Sequence, residues 1–336
     1  MQLGHYAIKA NEEIEKHISF LKHSSGIKSL KPEHIPVLKK TVKSLTSLSN
    51  GLKEGVCWSI NQDALPMVWH TDISNDSLEG IKLPYPTMVV EYDFDYEALG
   101  LTFNGGKQNL AFNQQNEYVE GRQRVLQLTE MTTTNGEEGF LVEIICRTDT
   151  EALNFNLFDP SEWGLGACSV FVPYERLGQV DQWFRRIGKQ GFEINWGKGG
   201  IYGLPASSMI EAQMKPDDWE KARNEMGDDL RVLLGFLQVI ACDNAPIEEI
   251  PPSAKLNKKR AKRGKPSIPT YRTLRDSARR RSGKRSGVTV VGGTKRSHWR
   301  RGHIRNQPTA KGYIKKWIRP CIVGADIPDK PEIVLT

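Results

Sequence analysis

Two histidines sit in a run of arginines, His298-Trp299-Arg300-Arg301-Gly302-His303-Ile304-Arg305. Imidazoles and guanidinium groups at this density are the parts needed to cleave RNA without a metal. One imidazole takes the proton of the 2′-hydroxyl, the other protonates the leaving oxygen, and fixed cations offset the charge that builds on phosphorus. His298 and His303 are the candidate acid and base. Arg300 and Arg305 are the candidate catalytic cations, with Arg301 beside them. The spacing sets a condition on this chemistry. In an unbroken strand, positions 298 and 303 face opposite ways. A bulge or turn at Gly302 is needed to bring both imidazoles to one side.

The same region suits a simpler task, binding a polyanion. No carboxylate occurs between Thr294 and Gly324. Lys258, Lys259, Arg260, Arg263, Lys265 and Arg272 precede that stretch, and Lys295, Arg296, Arg300, Arg301, Arg305, Lys315, Lys316 and Arg319 lie within it. Such cations neutralise phosphates and release counterions, which makes binding strong and salt-dependent. Trp299, Tyr313 and Trp317 are able to stack on exposed bases. The alternative for Trp299 and Trp317 is that they fill the core of a small basic sheet. A metal centre from His298, His303 and Cys321 matches no standard zinc spacing. In EYDFDYE, Glu91, Asp93 and Asp95 are either a magnesium site or alternating charges on the solvent side of a strand. No metal and no cofactor is expected.

Charge divides the chain. Met1 to Ala254 holds 23 Lys and Arg against 36 Asp and Glu, whereas Lys255 to Arg319 holds 23 basic residues against the single acid Asp276. An acidic body joined to a basic C-terminal module points to two tasks in one chain. There is no apolar run long enough to span a membrane and no secretory signal at the N-terminus, so a cytoplasmic protein is expected. Cys57, Cys146, Cys168, Cys242 and Cys321 are scattered without a CxxC pair, which fits a reducing compartment.

The elements that must carry these residues follow from periodicity. Ile14, Ile18 and Leu21 recur at helical spacing within 10–30. Val37 to Leu52 repeats the pattern after Pro32, with Asn50-Gly51 as a stop signal. His17, His23 and His34 on these helices are expected at the surface. Strands are expected over 87–92, 124–129, 139–147 and 167–172, with Asn135-Gly136 as a hairpin turn and an antiparallel arrangement. A helix is expected over 174–188. A second begins at Pro216 and ends in an apolar run to Cys242, either one buried helix or a helix followed by a strand. A polar linker follows Pro251-Pro252. Strand-capable runs then occur at 271–274, 288–291, 298–305 and 315–323.

Four segments, LPYPTMVVEY at 83–92, LNKKRAKRGKPSIPTYRTL at 256–274, HWRRGHIR at 298–305 and WIRPCIVG at 317–324, resemble a family of uncharacterised proteins from tailed bacteriophages, prophages and other mobile elements. The resemblance implies a bacterial host cytoplasm and no particular mechanism. Together these readings give an α+β fold. A helical hairpin occupies 1–80, an acidic domain with an antiparallel sheet 81–250, a basic linker 251–270, and a basic, mostly β module 271–336. The expected function is binding of RNA or DNA. The alternatives are a metal-independent endoribonuclease, acting as a toxin or host-takeover factor, and a protein-interaction module directed at a host protein.

Overall fold

The computed structural model describes residues 5–23, 35–93, 123–147, 163–186, 192–194, 202–205, 216–274, 298–300, 303–309, 312–318 and 321–323. The fold is α+β: helices at the N-terminus, a large mixed sheet in the middle and small antiparallel ladders near the C-terminus. Helices α1 (Tyr6–His23) and α2 (Ile35–Glu54) pack on each other. Ala10, Ile14, Ile18 and Leu21 of α1 meet Leu45, Leu48 and Leu52 of α2 in one apolar cluster. The Ser49 hydroxyl donates to Asn11 Oδ1 at 2.8 Å between them. α2 runs through the expected stop at Asn50-Gly51, because burial of Leu52 outweighs the roughly 1 kcal/mol helix cost of glycine.

The large sheet is built from β1 (Val56–Ile60), β2 (Thr87–Asp93), β3 (Gln123–Thr132), β4 (Glu138–Arg147), β5 (Trp163–Pro173), β8 (Tyr202–Pro205), β9 (Ile247–Ile250) and β10 (Tyr271–Leu274). Their order is β8-β5-β4-β3-β2-β1-β10-β9. The sheet is mixed rather than antiparallel, since β1 runs parallel to both β2 and β10. β1 lies within 1–80, the span expected to be a helical hairpin. Its five residues, VCWSI, are too few to show a period, yet the strand lies between β2 and β10 and is buried along most of its length.

Alternation along the strands sorts side chains into two cores. Cys57, Val89, Val125, Ile145 and Tyr271 face the α1–α2 pair. Trp58, Met88, Val90, Leu126, Phe140 and Val142 face helix α7 (Pro216–Ile240) on the other side. That helix settles the ambiguity of the apolar run before Cys242: it is one continuous helix. Leu230, Val232, Leu233, Leu234, Phe236, Leu237 and Val239 are all buried, as expected of a helix covered on every side. Its outer face meets α3 (Leu65–Trp69) and α4 (Asn75–Leu78). At Gly235 the backbones approach so closely that a Cβ would lie 2.2 Å from the Val68 carbonyl oxygen.

The helix expected over 174–188 is instead two four-residue helices, α5 (Tyr174–Leu177) and α6 (Val180–Trp183), followed by β6 (Phe184–Arg186), which pairs with β7 (Phe192–Ile194). Gly178 interrupts the helix, and the Trp183 indole donates back to the Arg176 carbonyl at 2.8 Å to fix the turn.

The expected polar linker contains helix α8 (Ala254–Ala261), capped by Ser253 and without a buried residue. The Asn257 side chain donates to the Ile268 carbonyl at 3.1 Å and accepts the Ile268 N–H at 2.8 Å. Arg260 Nε donates to the Pro266 carbonyl at 2.7 Å. These bonds fold residues 254–268 into a strap that leads into β10. Tyr271–Leu274, expected to open the C-terminal module, lies inside the large sheet between β1 and β9, with Tyr271 and Leu274 fully buried.

Candidate nucleic-acid interface

Four short strands carry the C-terminal basic residues: β11 (His298–Arg300), β12 (His303–Thr309), β13 (Gly312–Ile318) and β14 (Cys321–Val323). β11 pairs with β14, and β12 with β13, both antiparallel. Arg300 stands opposite Cys321 and His303 opposite Ile318, three steps along each strand. The two ladders therefore share one register, and the β12–β13 ladder forms a two-stranded ribbon. The run 298–305, expected as one strand, divides between the two ladders. Gly302 lies outside the described residues, and with it the bulge or turn on which placing both imidazoles on one face depends.

The β12–β13 part of the ribbon is anchored on the body by one face. Trp317 is 3 % exposed and belongs to the core that surrounds α7, with Ile304, its cross-strand partner, packed beside it. The Trp317 indole donates to Thr71 Oγ1 at 3.4 Å. Asn244, just beyond α7, accepts the Trp317 N–H at 3.0 Å and donates to its carbonyl at 3.1 Å. Asp243 N–H donates to the Lys315 carbonyl at 3.3 Å. The Lys315 ammonium donates to the carbonyls of Glu79 at 3.0 Å and Ser77 at 3.5 Å, at the end of α4.

The residues expected to bind nucleic acid therefore fall into distinct settings. Trp317 is a core residue, but of the body's core around α7 rather than of a small basic sheet, and Lys315 is bound to main-chain oxygens of the body. Arg272 lies on β10 with its guanidinium 4.7 Å from the Tyr85 ring centre and 5.7 Å from that of Trp58, and it pairs with Glu249 at 2.9 Å. Burial works against its charge, but Glu249 and Tyr85 outweigh that and hold it firmly protonated. Arg260 and Lys265 each reach Glu12 of α1 at 3.1 Å. Lys258, Lys259 and Arg263 are exposed on the strap, and Arg305 is exposed on β12. His303 is half-buried on β12. His298, Trp299 and Arg300 form β11. Lys295, Arg296, Arg301 and Arg319 lie outside the described residues, as does the strand expected over 288–291.

The acidic candidates resolve differently from either expectation. Glu91 does not face solvent; it is 1 % exposed on the α1–α2 side of β2. Its Oε2 accepts the Ala7 N–H at 3.2 Å and the Tyr271 hydroxyl at 3.2 Å. Burial pushes its carboxyl up to about 7, against the pull of these donors. Asp93 accepts the Tyr6 hydroxyl at 2.8 Å. Asp95 and His34 lie outside the described residues. Among the described residues, no group of three or more His, Cys, Asp or Glu side chains is placed to hold a metal ion. Sequence reasoning missed Glu12, Thr71 and Asn244 as the groups that hold the basic segments. Nothing in their local pattern marks them, because each acts across more than 70 positions of chain.

This geometry defines an α+β protein whose three-layered body carries a basic antiparallel ribbon, anchored by a buried tryptophan. The chain belongs to the anti-CRISPR type V subtype A2 family (AcrVA2-like), whose profile matches residues 58–325. The matched span takes in β2 through β14 and leaves α1 and α2 outside it. Membership agrees with the phage or mobile-element context implied by the resemblance. No curated protein matches the chain. No described helix is long and apolar enough to cross a membrane.

Proposed function

We propose that the chain serves a phage or other mobile element against a type V CRISPR system in the cytoplasm of the bacterial host, and that it does so by binding RNA or DNA through its C-terminal ribbon. The family supports the CRISPR target. The nucleic-acid step rests on one observation above the others: Arg305 and Lys316 stand directly opposite each other on β12 and β13. Like charges in facing positions destabilise a strand pair, and the hairpin holds no carboxylate to relieve them. A phosphate would relieve them. Trp299, Arg300 and the flanking Lys295, Arg296, Arg301 and Arg319 would add to the ribbon's binding. Lys258, Lys259 and Arg263 are exposed on the strap, which packs against α1 on the other side of the sheet from Trp317.

Fluorescence anisotropy with a labelled oligonucleotide across a salt series tests this. With about six phosphates neutralised, log K should fall against log salt with a slope of about −5 on duplex DNA, and less steeply on single strands. Binding that is absent at low salt would remove the nucleic-acid step. It would leave direct contact with a protein of the CRISPR system as the way the family role is carried out. The same assay reads the endoribonuclease alternative: RNA cleavage in EDTA that is lost in His303→Ala would support it.

A further inference from the structure

Resting on that nucleic-acid reading, we infer that Tyr313 is a base-stacking platform and that the ribbon selects single-stranded nucleic acid over duplex. Tyr313 is 78 % exposed, the most exposed of the large apolar and aromatic side chains described. It lies four positions before Trp317 on β13, so both point to the same face of the ribbon. Trp317 is sunk in the core and Lys315 is tied to the end of α4. The face that docks at one end thus continues past the body and presents Tyr313 at the other.

The ladder explains how the platform is held. Trp317 directs both its N–H and its carbonyl outward to Asn244, and Lys315 directs its carbonyl outward to Asp243. Pairs Ile304–Trp317 and Asn306–Lys315 are therefore the non-hydrogen-bonded pairs of the ladder. The alternation makes Pro308–Tyr313 the next one. Proline at that position costs no ladder bond, and Pro308 is the direct cross-strand neighbour of Tyr313. Tyr313 keeps its own N–H and carbonyl on the outer edge of β13. Arg305 and Lys316 point to the opposite face, within reach of a backbone that passes over the ribbon edge.

A base must be unstacked to lie on Tyr313. A single strand offers such a base freely, whereas a duplex keeps its bases stacked on one another. Every base has a π-face, so the platform does not require a particular sequence. Nothing in this geometry reads a sugar hydroxyl; the shared chemistry is an unpaired base with a phosphate on either side.

The full chain should be titrated at low salt with labelled oligouridine, oligothymidine and a duplex of matched length. Tighter binding of the single strands than of the duplex is expected. Tyr313→Ala should weaken single-strand binding by roughly five- to hundredfold, the range for one stacked base, and leave duplex binding unchanged. Tyr313→Trp should restore it. Preference for oligouridine would assign the site to RNA, and equal binding of both single strands would assign it to either polymer. Single-strand binding that is unchanged in Tyr313→Ala, or matched by the duplex, would overturn the platform while leaving the ribbon as a phosphate binder. No binding of any oligonucleotide would overturn the platform together with the function on which it rests.

Discussion

The Glu91 carboxylate on β2 accepts the Ala7 N–H at 3.2 Å, so a buried acid from the sheet terminates the first turn of α1. The N–H groups of Tyr6 and His5 also favour the charged form of this carboxylate. Helix α1 has no acid in its own first turn. The first N–H groups of a helix lack partners within it and carry partial positive charge. Glu91 supplies the missing acceptor from a distant part of the chain and fixes where the N-terminal hairpin sits.

That arrangement makes stability depend on pH. Glu91 is raised from 4.5 to about 7, chiefly by burial. Glu143, on the same side of the sheet, is raised to about 7 by burial as well. Both folded-state values exceed the unfolded one, so the folded state holds more protons than the unfolded state between about pH 4.5 and pH 7. Their stabilising contribution is complete below that window and is lost as pH rises through it. Each shift corresponds to roughly 3 kcal/mol at most. Urea denaturation at about pH 5 and about pH 8 should show lower stability at the higher pH. Glu91→Gln should remove about half of the difference, and the Glu91→Gln, Glu143→Gln pair most of it. An unchanged pH slope in the double variant would contradict this account.

Removal of everything after Ala254 should not leave a folded acidic body. That fragment loses β10, and with it the only described sheet partner of β9 and one of the two neighbours of β1. It also loses Tyr271 and Leu274, both fully buried. Tyr271→Ala alone should cost about 3–5 kcal/mol, the range for deleting a large buried aromatic. Near-ultraviolet circular dichroism of the Met1–Ala254 fragment is the check, and a native-like spectrum would show that the body closes without β10. The division of charge would then be a division of structure as well as of function.

Two aromatic residues on one strand should behave in opposite ways. Trp317→Ala removes a side chain from the core and breaks the indole bond to Thr71, so it should lower stability by about 3–5 kcal/mol. Tyr313→Ala removes an exposed ring and should change stability by less than about 0.5 kcal/mol. Thermal melts of the two variants decide the matter. Similar melting temperatures would mean that the ribbon is not anchored through Trp317.

Periodicity made the layers of this fold legible. The i, i+3, i+4 pattern marked α1 and α2, because each buries one face, and apolar runs bounded by turn signals marked β2, β3, β4 and part of β5, whose two faces are both covered. The parallel pairing of β1 was not legible, since neighbours in a sheet are chosen by connections far along the chain. The strap misled for a physical reason: α8 buries nothing, and its order comes from Asn257 and Arg260 bonding to main-chain carbonyls. Glu91 and Glu143 carried a usable signal. Each stands in the strand phase occupied by buried apolar neighbours, Val89 for the first and Ile145 for the second. Trp299 and Trp317 show the limit at the candidate site, since a tryptophan in a basic run reads the same whether it anchors the run or faces a ligand.

Glu12 on α1 binds both Arg260 and Lys265 of the strap at 3.1 Å. Two cations are thereby held against the body rather than offered to a phosphate. Burial raises the Glu12 carboxyl, but Lys265 and Arg260 outweigh it and hold it below the usual carboxylate range, so the contact is intact at neutral pH. Glu12→Gln should release both cations. The variant should bind single-stranded oligonucleotides more tightly at low salt, by roughly two- to fivefold, the worth of a weak ion pair. The difference should vanish at high salt, where both the internal contact and phosphate binding are screened. Stability should fall by no more than about 1 kcal/mol, since the contact lies at the protein surface. Arg260→Ala separates this from a general charge effect: removing one of the two held cations should make Glu12→Gln less consequential. If Glu12→Gln binds no more tightly than the parent chain at low salt, the strap does not share in the binding face and its ion pairs serve only to hold α8 against α1.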